Sequence, residues 1–227
     1  MTTVVLPVLS CIIALTAFGI GARSLFRKGQ PLYFQILICA IGCNALGALA
    51  NIVTVLWGSN NNIITFIPGL FSHLGCVAFF VTANVGALNM IISEETDRKA
   101  SLIAFAAPVV YMAILILTVW LILPDQPLSA IITLICLLPG AVSVYHNLRH
   151  LLSKEDAMGF LRCIRICDIL TLIFLMLSLL SLLLNGLYGN TVFAYAVDCG
   201  ASLSSLALAV ASGKEAEQWK TSISSFS

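Results

Sequence analysis

Residues 4–57, "VVLPVLSCIIALTAFGIGARSLFRKGQPLYFQILICAIGCNALGALANIVTVLW", decide the fold. Two uncharged apolar runs, 4–22 and 32–57, flank a short connection that carries Arg23, Arg27 and Lys28. Each run has about the 20 residues needed to cross the hydrocarbon core as a helix. In lipid a lone spanning segment satisfies its backbone polar groups only as a helix. The stretch is therefore a transmembrane hairpin with a basic turn.

The rest of the chain repeats the pattern. The 227 residues are 60% hydrophobic and 9% charged, with a mean hydropathy of +1.05. A soluble domain is about half apolar and a quarter charged. Five further runs, 69–92, 101–123, 128–145, 166–187 and 191–211, complete a count of seven. The third has an apolar lead-in at 63–66 before Pro68. The expected fold is an all-α membrane protein, a seven-transmembrane-helix bundle over 1–212 with a short tail at 213–227. Its first partner is the lipid bilayer, and a net charge of +1 gives no reason to expect nucleic acid.

The eleven Lys and Arg fall in alternate connections: Arg23, Arg27 and Lys28; Arg98 and Lys99; Arg149, Lys154, Arg162 and Arg165; Lys214 and Lys220. The opposite loops, "GSNNN", "PDQP" and "YGN", hold one charge, Asp125. The positive-inside rule makes the basic side cytoplasmic, the N-terminus external and the C-terminus internal. A cleaved signal would carry basic residues before its apolar run, whereas here they follow it. A multi-pass protein of the cell membrane is expected. The eight cysteines avoid the external loops, so no disulfide framework is expected.

Span three leaves as "ALNMIISEETDRKAS" and span seven as "ALAVASGKEAEQWKTS", while "ARSLFRKG" and "YHNLRHLLSKE" follow spans one and five. These pairs suggest a 3+1+3 pseudo-repeat with the fourth span as linker. Small or polar stripes at helical spacing mark inward faces. They run through Asn44, Gly47, Ala48 and Asn51; His73, Cys76 and Asn84; Thr133, Cys136, Gly140 and Ser143; Asp168, Thr171, Ser178, Ser181 and Asn185; and Tyr195, Asp198, Ser202 and Ser205. Small and hydroxylated residues serve helix packing whether or not anything is bound. An intramembrane carboxylate points instead to function.

At 1.5 Å per residue, Asp198 lies about 24 Å before Lys214, in the outer third of the bilayer. The same counting brings His73, Asn51 and Asn185 to its level. Asp198 is expected to be protonated, or held by His73, Tyr195 or Asn51 in a cavity open to the outside. The competing structural role is a single interhelical bond. Asp168, one turn beyond Arg165, is expected to pair locally or snorkel to the interface.

Retinal requires a lysine in the last helix for its Schiff base, and Ser202 stands one turn after Asp198. A bis-histidine haem needs a second deep imidazole beside His73. No hydrolase, zincin or nucleotide-binding motif is present, so neither an enzyme nor a cofactor is indicated. His146, His150, Cys163 and Cys167 have the donor types of a tetrahedral zinc set if their two helices face each other.

Two readings follow. One is a carrier for a small polar solute, proton-linked through Asp198 and His73, with a cytoplasmic path lined by Asn84, Thr171, Ser178 and Ser205 and bends at Pro7, Pro68, Pro108 and Pro139. The seven-span, outside-first layout is similar to that of the SWEET and PQ-loop carriers. That resemblance is one of topology: their Pro-Gln pair is absent, and no residue is carried over. The other is a receptor or sensory module with an outward small-molecule pocket. A third reading is an assembly partner without a ligand. In each, the cytoplasmic loops are the surface offered to a protein partner or a second copy.

Overall fold

The computed structural model describes residues 2–25, 29–57, 63–88, 102–152, 160–189 and 191–224; side-chain environments are described within 4–53, 72–85, 102–152, 164–189 and 191–219, except at 26–28. Arg27, Lys28, Arg98, Lys99, Lys154, the "GSNNN" loop and the side chains of Arg162, Cys163 and Lys220 lie outside the described residues.

Every described element is helical. α1 is Thr2–Leu25, α2 Leu32–Trp57 and α3 Ile63–Val81, which passes into a π-helical turn at Thr82–Leu88. α4 is Ala106–Ile122, α5 Pro127–Leu137, α6 Gly140–Leu152, α7 Phe160–Tyr188 and α8 Val192–Ser224. Among the described residues, six helices have the length and apolar composition to cross a membrane: Val4–Leu25, Leu32–Val53, Leu102–Ile122, Pro127–Leu152, Ile164–Tyr188 and Val192–Trp219. The apolar stretch Ser72–Val85 is shorter. The chain is a multi-pass, membrane-embedded helical bundle.

Local chemistry explains the breaks. Proline has no N–H to give to the carbonyl four residues back. Before Pro108 the helix is interrupted at Phe105, and Pro139 divides the fourth long span into α5 and α6. The kink is braced from α4, where the Tyr111 hydroxyl donates to the Leu137 carbonyl at 3.1 Å. Gly140 makes the brace fit, because a Cβ there would overlap the Tyr111 hydroxyl and come within 2.8 Å of Cζ. Pro7 and Pro68 lie inside unbroken helices. Gly29 and Gly189 adopt φ of 76° and 71°, the left-handed conformation that lets α1 turn into α2 and α7 into α8 within a few residues.

The helices form a ring. α1 packs on α2 and α8, α2 on α3, α3 on α5 and α6, α6 on α7, and α7 on α8. α4 lies against α5, α6 and α7. The buried face of α1 reads Pro7, Ser10, Cys11, Ala14, Ala17, Gly21 and Ser24, a three-to-four-residue spacing of small side chains that admits close helix approach. The outer surface is apolar, with Trp120 67% and Ile135 61% exposed, as lipid contact requires. Residues 213–224, within the stretch expected as a short tail, continue α8; Ala216 and Trp219 are buried, and Trp219 meets Phe34 edge-on at 5.9 Å.

The cross-helix bonds fix which ends lie together. Ser10 of α1 meets Ser202 of α8, placing Arg23 and Lys214 at one end; Tyr33, His150 and Asp168 meet there as well, beside Arg149 and Arg165. That end is called the basic end below.

Candidate functional site

Polar side chains inside the ring gather at two levels. Far from the basic end, the Ser10 hydroxyl donates to Asp198 Oδ2 at 2.7 Å and lies 2.7 Å from the Ser202 hydroxyl. Cys199, the next residue of α8, directs its thiol to the Leu6 carbonyl at 3.3 Å. These bonds pin α8 to α1. His73 of α3 lies within electrostatic range of the Asp198 carboxyl, as does Tyr195, one turn away on α8. Ser10, which actually touches the carboxylate, was not singled out by the sequence because an isolated serine in an apolar run looks like a packing residue.

Two other members of the expected layer stand elsewhere. Asn51, near the end of α2, is exposed on the bundle surface. Asn185 is displaced along the axis: Ser181 of α7 bonds the Ala194 carbonyl of α8 at 3.2 Å, which sets the register of the two helices. Asn185 lies one turn farther from the basic end than Ser181, and Asp198 one turn nearer to it than Ala194, so the two are about 12 Å apart along the bundle. Counting from loop ends gave equal heights because it assumed equal loop depths. Asn185 Oδ1 is buried without a hydrogen-bond partner.

Between the levels, Asn44 Nδ2 of α2 donates to the Ser205 hydroxyl of α8 at 3.4 Å, and Ser205 donates to the Ser202 carbonyl at 2.7 Å. Beside them is a cavity of about 20 Å³ lined by Asn44, His73, Tyr111 and Ser178 with Cys76 and Phe174. That is about the room of a single water, in a mostly apolar lining.

The second level lies toward the basic end and is more fully enclosed. Asn84, carried on the π-helical turn, gives Nδ2 to the Ser143 hydroxyl at 3.0 Å and to Asn147 Oδ1 at 2.8 Å; Asn147 returns Nδ2 to Ser143 at 3.4 Å. Extra width in a π turn re-aims side chains and often marks functional sites. All three residues are buried, and Asn84 Oδ1 has no hydrogen-bond partner.

One turn further on, Asp168 of α7 is fully buried. The Tyr33 hydroxyl of α2 donates to its Oδ1 at 3.3 Å, and His150 Nδ1 of α6 stands 3.4 Å from its Oδ2. The His150 contact has the distance of an ion pair without the alignment of a hydrogen bond. This corrects the expectation of an interfacial or locally paired Asp168: its contacts run to two other helices. Sequence reasoning missed it because Tyr33 is 135 positions away and resembles an ordinary interfacial aromatic. Removing one partner of such a buried pair costs about 3–5 kcal/mol.

Of the candidate zinc set, the side chain of Cys163 lies outside the described residues, and the other three do not converge. His150 is turned toward Asp168, and the His146 ring lies tilted with its centroid 6.1 Å from that of His150, its Nδ1 buried and without a hydrogen-bond partner. Cys167 is buried next to Asp168, and among the described residues no group of three metal-ligating side chains converges.

Compared with known proteins, the chain matches no family model, no curated sequence and no solved structure.

Proposed function

We propose that this protein is a carrier for a small polar solute, proton-linked, with the basic end in the cytoplasm of a cell whose plasma membrane it spans. The observation that carries the reading is the presence of interior polar groups in both halves of the bundle. The Asp198 group occupies one half, the Asn84 and Asp168 groups the other, and Asn44, Ser205 and the His73 cavity lie between. A sensor with only an outward pocket could be filled with Leu and Ile toward the cytoplasm.

The ring order supports the same reading. On this proposal α3 and its π turn, Ile63 to Leu88, form a seventh span, longer than the about 20 residues a crossing needs. Exchanging α1, α2 and α3 for α5–α6, α7 and α8 then carries each pair of ring neighbours onto another such pair; the contact of α2 with α8 has no broad counterpart between α7 and α3, and α4 lies outside. Parallel three-helix repeats joined by a linker span are one way in which carriers are built.

The test is water access to a cysteine at position 205, in the middle of the proposed path. With Ser205→Cys in oriented vesicles, an impermeant thiol reagent should reach the site from each side, in different proportions as pH or solute is varied. Access from the outside alone, in every condition, would sink the carrier reading and leave the receptor one. That alternative draws on the enclosed state of the basic end.

A further inference from the structure

We propose that Asp168, His150 and Tyr33 form a proton-binding site that latches the basic end of the bundle. α2 and α7 stand opposite each other in the ring and share no broad packing face, so the Tyr33 to Asp168 bond crosses its interior. His150 brings in α6 from a third direction. Exposure is 2% for Tyr33, 3% for His150 and 0% for Asp168, so the crossing is sealed from solvent. Behind it, one turn deeper on α7, the Thr171 hydroxyl is buried without a hydrogen-bond partner, near the level of the Asn84, Ser143 and Asn147 cluster. A polar column therefore meets the latch from within.

The latch holds one proton, on Asp168 Oδ2 or on His150 Nδ1. Either placement leaves the pair neutral overall, and the three helix ends can stay together. When that proton leaves to the aqueous side, a carboxylate remains with Tyr33 as its hydrogen-bond donor in the closed end. A buried net charge is unfavourable, and water entry relieves it. Water can enter only if α2, α6 and α7 part, which exposes Thr171. Among the described residues, the titratable groups facing Asp168 are Tyr33 from α2 and His150 from α6, while Cys167 on α7 acts on Tyr33. His146 and Arg149 stand behind His150, Arg165 lies one turn before Asp168, and Glu215 is the buried carboxylate of α8 toward this end.

The site stands on this geometry alone; only its role as the inner gate of a carrier rests on the function proposed above. The chain has three histidines, so ¹⁵N-histidine resonance spectra of the full-length protein in lipid nanodiscs can be assigned with His73→Gln and His146→Gln. The His150 ring resonances should move in Asp168→Asn, because the carboxyl lies 3.4 Å from Nδ1. As pH rises, maleimide labelling of Thr171→Cys, relative to Lys214→Cys on the exposed face of α8, should increase about tenfold as the proton is lost, and stay flat in Asp168→Asn. Tyr33→Phe keeps the pair and removes one bond; it should raise the relative labelling at every pH while preserving the increase, and it carries the test if Asp168→Asn does not fold. His150 resonances unchanged by Asp168→Asn, or relative labelling of Thr171→Cys that does not change with pH, overturns the proposal. Neither measurement needs a transported solute, so a protein that passes both and moves nothing loses the carrier reading and keeps the site.

Discussion

A single hydroxyl shows how much these interior contacts depend on one atom. Ser10 is the hydrogen-bond donor seen for Asp198 among the described residues and also meets Ser202. Ser10→Ala removes both contacts at once and leaves a partly buried carboxyl without that donor. A stranded buried polar group costs about 1–3 kcal/mol, whereas removing both partners together is closer to neutral. Ser10→Ala should therefore lower the thermal midpoint of the purified protein, and adding Asp198→Leu should recover part of the loss. If the double variant is less stable by the full sum of the two single changes, the hydroxyl and the carboxyl are not coupled. The sequence pointed to Asp198 because a carboxylate in an apolar run is conspicuous, and it was silent on Ser10 because serine is common in spans. Asp168 and His150 present the same problem: each sits beside a basic residue in the chain, which suggests a wet interface, and only tertiary packing shows both enclosed.

Elements were more legible than their neighbours. Apolar run lengths anticipated six of the long helices, and the missing proline N–H accounts for the interruptions near Pro108 and Pro139. Run length says nothing about which stripe faces which helix, and that is where the expected Asn51 and Asn185 layer failed. The kink at Pro139 offers an element-scale test. Tyr111 fills the space that a Cβ on Gly140 would need, and its hydroxyl bonds the Leu137 carbonyl. Gly140→Ala should cost about 1–3 kcal/mol through overpacking, and Tyr111→Phe about 1 kcal/mol through the lost hydrogen bond. Combined, they should cost less than their sum, because the second change removes the oxygen that the first collides with; contacting residues couple by about 0.5–3 kcal/mol. Additive losses in denaturant titrations of the four proteins would show that α4 does not brace the kink.

At the scale of the whole molecule, the ring is closed by contacts far apart in sequence, α1 on α8 and α3 on α5 and α6, while α4 joins the first half of the chain to the second. None of these pairings could be read from the runs themselves. In lipid, spans form as independent helices first and associate afterwards through packing and polar contacts, so continuity of the chain between α4 and α5 should be dispensable. A chain cut after Asp125, in the exposed turn, yields fragments 1–125 and 126–227 whose interface includes the Ser10 contacts with Asp198 and Ser202 and the Asn84 contacts with Ser143 and Asn147. Coexpressed, the two should copurify from membranes through a tag on either one. Ser10→Leu together with Asn84→Leu should reduce the recovered partner several-fold, since bulk replaces a donor at both contacts. Fragments that insert but do not copurify, or a complex indifferent to those two changes, would mean that the cross-ring polar contacts do not hold the halves together.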